Sequence, residues 1–165
     1  MTTDARDIVT VQQERVVLAR IHRPAKKNAL TRAMYAALTA VLDEAGRDPA
    51  THVVVVTGSG DSFSSGNDIA DFLAAPPTDE ESPVFQFLMA LQRFEKPLIA
   101  AVNGMAVGVG VTLLLHCDLV YARAGASLRL PFVNLGLCPE AGSSVLLPQR
   151  IGHARAAELL LLGEP

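Results

Sequence analysis

Residues 97–118 read PLIAAVNGMAVGVGVTLLLHCD, in which apolar runs alternate with glycines. The apolar run Leu98–Val102 predicts a buried strand, the glycines of Asn103–Gly110 predict a turn, and Val109–His116 predicts a helix. A helix that spans a bilayer needs about 20 mainly apolar residues. Because asparagine, threonine and glycines interrupt this stretch, it indicates a strand, turn and helix within a globular core and argues against a membrane span.

The rest of the chain continues this alternation of strands and helices. Thr31 is a predicted helix cap, and Val53–Val56, apolar without alternation, predicts a strand buried on both faces. Pro76–Pro83 is acidic and proline-rich, so we expect a mobile loop there that is too short to divide domains. Residues 1–165, 50% of them hydrophobic, are therefore predicted to form one α/β domain. The further predicted strands are Ile8–Val11, Val16–Ile21 and Leu119–Ala122, and the helices run from Thr31 to Gly46, Pro83 to Glu95 and Ala154 to Leu162.

Composition and charge argue against several classes of function. The formal net charge of -3 and the pI near 5.8 provide no basic stripe for nucleic acid. Met1–Thr10 lacks the continuous apolar run of a secretory signal, so we expect a cytoplasmic protein. Cys117 and Cys138 have no metal-binding spacing and are interpreted as buried apolar residues. The four histidines are isolated in the sequence, so no metal site is predicted.

Glu140 is the candidate catalytic residue. It follows the apolar run Leu135–Pro139 and precedes a turn, Gly142–Ser144, that can open a helix. A carboxylate with apolar neighbours is expected to be partly desolvated, which raises its pKa towards neutrality and suits it to proton transfer. A solvated loop glutamate remains the alternative at this point.

Two glycine-bearing turns could supply hydrogen-bond donors. Asn103–Gly110 and Phe63–Ile69 each leave a predicted strand, and glycine allows the backbone to approach a ligand closely. Backbone N–H groups in such turns can hold an oxyanion, although similar turns are also common as plain connections. Gly108–Gly110 lacks the third glycine of a dinucleotide fingerprint, and the chain has neither a Walker lysine nor a G-x-S-x-G elbow.

The order of several segments resembles the signatures of the crotonase, or enoyl-CoA hydratase/isomerase, superfamily. They are His22–Leu30, then Phe63–Ile69, then Pro97–Gly104 through Cys117–Asp118. The resemblance implies a crotonase-like spiral of ββα units that acts on coenzyme A thioesters as a homotrimer or hexamer. It implies no cofactor other than the coenzyme A of the substrate. Family members usually continue with C-terminal helices beyond Leu162, and this sequence lacks that region.

The resemblance also implies roles for individual residues. The oxyanion hole falls on the N–H groups of Asn67 and Val109. Hydratases of the family carry two glutamates, at positions that are Thr112 and Phe132 here, so the resemblance implies inefficient hydration. Asn134–Glu140 instead resembles the Δ3,Δ2-enoyl-CoA isomerase branch, in which one glutamate moves both protons.

The expected function is therefore the conversion of a 3-enoyl-CoA to a 2-enoyl-CoA in fatty-acid metabolism. Two alternatives stay open: a hydratase-like or other thioester-enolate enzyme, and a catalytically silent acyl-CoA-binding or oligomerisation module. A basic cluster of Arg23, Lys26 and Lys27 suits the phosphates of coenzyme A, although a solvated loop is an equal interpretation. The residues expected to bind substrate are Lys26, Lys27, Ala29, Ser65, Gly66, Asp68, Ile69, Gly108 and Phe132.

Overall fold

The computed structural model describes residues 7–77 and 79–164, and within them it has eight strands and six α-helices. Most of the N-terminal stretch interpreted for targeting, Met1–Arg6, lies outside the described residues, as does Thr78 of the predicted mobile loop. The strands are β1 Ile8–Gln13, β2 Val16–Ile21, β3 Val53–Gly58, β4 Ser62–Ser64, β5 Leu98–Val102, β6 Met105–Val107, β7 Leu119–Ala122 and β8 Leu128–Arg129. The helices are α1 Arg32–Arg47, α2 Ile69–Ala74, α3 Pro83–Arg93, α4 Val109–Thr112, α5 Ser143–Ile151 and α6 His153–Leu162.

Two sheets organise the chain. The larger has the order β1-β2-β3-β5-β7, with β1 and β2 antiparallel and the remaining pairs parallel. The smaller has the order β4-β6-β8 and is parallel. Each of the pairs β3/β4, β5/β6 and β7/β8 places its first strand in the larger sheet and its second in the smaller, and a helix follows. This is the predicted spiral of ββα units, which is confirmed.

The core lies between the larger sheet and the pair α1 and α3. Thr31 caps α1 as predicted, because its side chain accepts the N–H of Met34. Val54 and Val56 face the helices and are buried, whereas Val53 and Val55 are partly exposed. The prediction that this strand is buried on both faces is therefore wrong. Its second face is only partly covered, and an unbroken run of valines cannot reveal that difference in the sequence.

The smaller sheet and α2 were not anticipated. Strand β6 lies inside the stretch Asn103–Gly110 that the sequence predicted as a turn, because three residues are too short to show a period of two. The predicted helix Val109–His116 is confirmed, with its last four residues wound as a 3₁₀ turn. Cys138 is exposed, contrary to prediction, while Cys117 is buried. Among the described residues, no helix has the length and apolar character to cross a membrane.

Lys96 ties the end of α1 to the start of β3. Its ammonium donates to the carbonyl oxygens of Ala45 and Asp48, each at 2.6 Å, and of Thr51 at 2.9 Å. We expect Lys96→Met to lower the free energy of unfolding by about 2 kcal/mol, because three partly buried carbonyls lose a charged donor. Urea unfolding measures this change. The exposed Lys26→Met is the control, and equal stability of the two variants would contradict a structural role for Lys96.

Candidate active site

The N–H of Val109 is presented by the turn between β6 and α4. Gly108 adopts φ 54° and ψ -119°, a conformation open to glycine and costly for other residues. The N–H of Gly108 is bonded to the carbonyl of Arg129 at 2.9 Å, and its carbonyl accepts the N–H of Thr112 at 3.0 Å. The hydrogen bonds within residues 7–77 and 79–164 include no acceptor for the N–H of Val109. Val109 itself is buried, so this N–H is an unpartnered donor next to the core.

The N–H of Asn67 is directed by its pairing with Leu30. The Leu30 N–H donates to the carbonyl of Gly66, and the Asp68 N–H donates to the carbonyl of Leu30, each at 2.8 Å. In a trans peptide the C=O and N–H groups point in opposite directions. Because the Gly66 carbonyl faces Leu30, the N–H of Asn67 faces away from it, and over the described parts of the chain it has no protein acceptor.

The two turns pack against each other. A Cβ added at Gly110 would stand 2.8 Å from the carbonyl oxygen of Ser64, and one at Gly66 would stand 3.0 Å from that of Val107. Side chains at these positions would push the segments apart. The structure thus brings together the two turns that carry the predicted oxyanion-hole donors, although they are about 40 residues apart in the sequence.

Glu140 lies beside α4, close to the same turns. Its carboxylate is half-buried, and the hydroxyl of Thr112 reaches Oε1 at 3.5 Å, a long hydrogen bond. Burial raises the pKa of Glu140 to about 7, and the hydrogen bond from Thr112 opposes that rise. No salt bridge to Glu140 exists among the residues that the structure describes. A carboxyl group with this pKa can both accept and return a proton at neutral pH.

Hydrogen bonds to the main-chain carbonyls of Glu140 and Ala141 hold the loop around Glu140 in place. The carbonyl of Glu140 accepts the N–H of Ser143 at 2.9 Å and its hydroxyl at 2.6 Å. Nε2 of His116 is 2.9 Å from the carbonyl of Ala141. Ala141 has φ 54°, in the left-handed region that alanine rarely adopts. A strained residue next to a candidate catalytic group is typical of a loop whose geometry serves function.

Tyr35 is a site residue that the sequence analysis missed. It lies on α1, is 1% exposed, and its hydroxyl donates to Oδ1 of Asn67. Burial raises the pKa of Tyr35 well above its ordinary value, and the negative charge of Glu140 raises it further. The available signal was a tyrosine within the core-facing side of a predicted helix, where a buried hydroxyl needs a partner.

Comparison with known proteins identifies the family. The profile described as Enoyl-CoA hydratase/isomerase matches residues 11–165. The chain belongs to this family. It is 40% identical to enoyl-CoA delta isomerase 2 of Rattus norvegicus over 98% of this chain and 42% of the relative. It is 38% identical to 2,3-dehydroadipyl-CoA hydratase of Escherichia coli over 96% of this chain and 62% of the relative.

Solved structures of similar proteins show the same fold. The structure of OdaA from Pseudomonas aeruginosa superposes with a TM-score of 0.92 at 55% identity, covering 96% of this chain and 64% of that one. An enoyl-CoA hydratase/carnithine racemase described as putative, from Magnetospirillum magneticum, gives 0.92 at 45% identity, with 96% and 63% covered. The chain thus spans less than two thirds of the length of these relatives.

The segments that the hydratase/isomerase resemblance assigns to coenzyme A run side by side. The N–H of Ser65 donates to the carbonyl of Lys27 at 2.9 Å, and its hydroxyl donates to that of Lys26 at 3.3 Å. Lys26 is exposed, and Lys27 pairs with Asp61 at 3.1 Å. Ala29 is buried beside them. Two exposed lysines thus flank the paired segments, and their role in phosphate binding stays a prediction.

Arg23 differs from the two lysines of the basic cluster because its guanidinium is only partly exposed and contacts other residues of the fold. Its guanidinium donates to Asp68 at 2.7 Å and to the carbonyl of Ala29 at 3.1 Å, and it lies 3.8 Å from Asp7. The charge of Arg23 is thus engaged within the fold, and phosphate binding by the basic cluster stays a prediction. Asp68 in turn caps α2 by accepting the N–H of Asp71, so its carboxylate serves the local structure. The hydrogen bond from Arg23 is the main cause of the lowered pKa of Asp68.

The two remaining predicted binding residues differ in exposure. Ile69, the first residue of α2, is 66% exposed, which leaves its side chain free to contact a ligand. Phe132 is 7% exposed, and its carbonyl accepts the N–H groups of Leu135 and Leu137. An apolar, buried Phe132 offers no group that could activate water.

Proposed function

We propose that the protein shifts the double bond of a 3-enoyl-CoA to give a 2-enoyl-CoA. Glu140 would be the only acid-base group, and the N–H groups of Asn67 and Val109 would bind the thioester oxygen. The observation that carries this proposal is a half-buried carboxylate with a pKa of about 7 whose one side-chain hydrogen-bond partner, among the described residues, is a threonine hydroxyl. Coenzyme A enters as part of the substrate, and no other cofactor is required.

The chemistry needs one base that becomes an acid. The carboxylate of Glu140 removes a proton from C2, and the electron pair spreads over a planar dienolate that ends on the thioester oxygen. The protonated carboxyl group then returns the proton to C4, which completes the shift without water or an oxidant. At neutral pH, a carboxyl group with a pKa near 7 has nearly the same free energy in its protonated and ionised forms.

The oxyanion hole lowers the cost of the dienolate. Two preorganised N–H donors stabilise the thioester oxygen most when it carries negative charge, so they favour the transition state over the bound substrate. Both donors lack protein acceptors among the described residues and lie on turns that pack together. This arrangement supports their assignment to one oxygen atom.

Hydration is the second candidate, because hydratases are among the relatives. Water addition needs a group that activates water and a proton source at C2. The side chains of Thr112 and Phe132, at the positions where the resemblance expects glutamates, supply neither. We therefore expect hydration to be slow relative to isomerisation.

One set of assays tests the proposal. The protein is given a 3-enoyl-CoA, and formation of the conjugated 2-enoyl thioester is followed by absorbance. Hydration of a 2-enoyl-CoA is measured in parallel, and binding of coenzyme A is measured by calorimetry. Isomerisation that exceeds hydration supports the proposal. Faster hydration assigns the hydratase-like function, and binding without turnover assigns the silent module.

The pH dependence follows from the raised pKa of Glu140. The ionised carboxylate is the base, so kcat/KM is expected to rise about tenfold per pH unit up to about pH 7 and then to level off. Stability should change in the opposite direction. The folded protein keeps the Glu140 proton up to about pH 7, whereas the unfolded chain loses it near the ordinary pKa of 4.5. The contribution of this proton to the free energy of unfolding is therefore complete below pH 4.5 and is lost as the pH rises through 7. A pH–rate profile without an inflection near 7 would contradict the assignment.

We also propose that the protein works in the cytoplasm as a homotrimer or hexamer. Large apolar side chains stay exposed on the C-terminal part, and such patches favour a partner surface. Sedimentation measures the assembly, and a monomer at micromolar concentration would contradict it. The exposed residues are Leu135, Leu137, Val145, Ile151, Leu161 and Leu162.

A further inference from the structure

The tie between Tyr35 and Asn67 joins the buried core to the oxyanion-hole turn. The phenol of Tyr35 is buried, its ring packs at 5.5 Å and a tilt of 56° against that of Phe87, and its hydroxyl donates to the side-chain carbonyl of Asn67. Asn67 itself is half-buried at the start of the loop into α2. A buried aromatic residue thus holds, by a hydrogen bond, the residue whose N–H is the proposed oxyanion-hole donor.

The main chain alone leaves Asn67 incompletely held. Leu30 bonds to the carbonyl of Gly66 and the N–H of Asp68, so the peptides on both sides of Asn67 are anchored, but only on the side that faces Leu30. The opposite side of the Gly66–Asn67 peptide, which carries the Asn67 N–H, has no main-chain partner among the described residues, so a small tilt about the Leu30 hydrogen bond would change the direction of this N–H. The hydrogen bond from Tyr35 fixes the side chain of Asn67 and therefore restricts its Cα.

We propose that Tyr35 is a positioning residue that, through the side-chain amide of Asn67, aims the Asn67 N–H at the thioester oxygen. This inference rests on the proposed oxyanion hole and adds a residue to it. The function that it assigns to Tyr35 is orientation, without contact to substrate.

The protonation state of Tyr35 is consistent with this role. Burial, and then the charge of Glu140, raises the pKa of Tyr35 well above 10.0. The phenol therefore remains a donor throughout the range in which Glu140 titrates. The hydrogen bond to Asn67 therefore keeps its donor whether Glu140 is protonated or ionised.

The test uses the carbonyl stretch of a bound 2-enoyl-CoA with a ¹³C-labelled thioester carbon, observed by difference infrared spectroscopy. Polarisation by the oxyanion hole lowers this frequency. We expect Tyr35→Phe to lose at least about half of the downshift and to lower kcat about tenfold with KM nearly unchanged, since part of one donor's effect is lost. Asn67→Ala, which keeps the backbone N–H, should give the same loss, and the double variant should add little to it.

Thr39→Val is the matched control. It also deletes a hydroxyl from α1, one that donates to the carbonyl of Tyr35 at 3.0 Å, but it leaves the phenol and Asn67 in contact. We expect its carbonyl frequency and kcat to match those of the wild type. Unfolding in urea confirms that each variant is folded under the assay conditions.

The outcomes separate this inference from the proposed function. A wild-type downshift in Tyr35→Phe, or a full downshift in Asn67→Ala, overturns the positioning role. A wild-type protein that polarises the carbonyl but does not isomerise 3-enoyl-CoA refutes the proposed reaction, while the variants still decide the role of Tyr35. A wild-type protein without any downshift overturns the oxyanion hole and the inference together.

Discussion

Glu140→Gln is expected to lower kcat for isomerisation by about 10²–10⁴-fold, the usual contribution of a positioned acid-base group. Glutamine has nearly the same shape as glutamate but cannot accept the proton from C2. The proposed substrate contacts through the turns and the lysines are not altered by this change. The dissociation constant for a 2-enoyl-CoA should therefore change little, which calorimetry measures alongside the kinetics.

Glu158→Gln is the control for this substitution. Glu158 lies exposed on α6, so the same chemical change there should leave turnover unchanged. Glu140→Gln should also make the protein more stable at pH 8, where the wild type holds a half-buried charge, and leave stability unchanged at pH 4, where Glu140 is protonated. Wild-type turnover by Glu140→Gln would show that another group moves the proton.

Gly108→Ala is expected to lower kcat by about 10²–10³-fold, the cost of losing one oxyanion-hole donor. A Cβ at Gly108 would meet no atom within 4 Å, so the substitution acts through the backbone and creates no clash. Alanine disfavours φ 54° with ψ -119°, and relaxation of the turn would redirect the N–H of Val109. Steady-state kinetics with a 3-enoyl-CoA measures the loss.

Gly125→Ala provides a matched comparison for backbone strain. Gly125 also has a positive φ, 81°, with no atom within 4 Å of an added Cβ, but it lies in the loop between β7 and β8. Both variants should lose a similar amount of stability, whereas only Gly108→Ala should lose activity. Equal kcat values for the two variants would mean that the Val109 N–H does not stabilise the dienolate.

Local patterns in the sequence were sufficient for the larger elements. The helical spacing of α1 with its Thr31 cap, the apolar run of β5 and the glycine before α5 each encode structure within a few residues, and all three were predicted. The smaller sheet was missed because β4, β6 and β8 have only two or three residues each and are stabilised by pairing with one another.

The residues of the candidate site also divide into those that the sequence suggested and those that only the structure revealed. The sequence suggested Glu140, Asn67 and Val109 through their neighbours and the family resemblance, whereas Tyr35 carried no local signal of its partner. The pairing of Arg23 with Asp68 was equally hidden, and it engages one charge of the basic cluster within the fold. Whether a polar side chain is free to bind a ligand or is paired within the fold depends on which residues lie next to it in space.

The sequence by itself thus determined the order of the elements, the family and the identity of one acid with two glycine turns, because periodicity, capping and turn chemistry act over short stretches of chain. Only the tertiary structure decided that Thr112 lies beside Glu140, that Tyr35 grips Asn67, and that burial raises the pKa of Glu140 to about 7. Desolvation and hydrogen bonding depend on distance in space. In this chain they join residues that are about 30 positions apart.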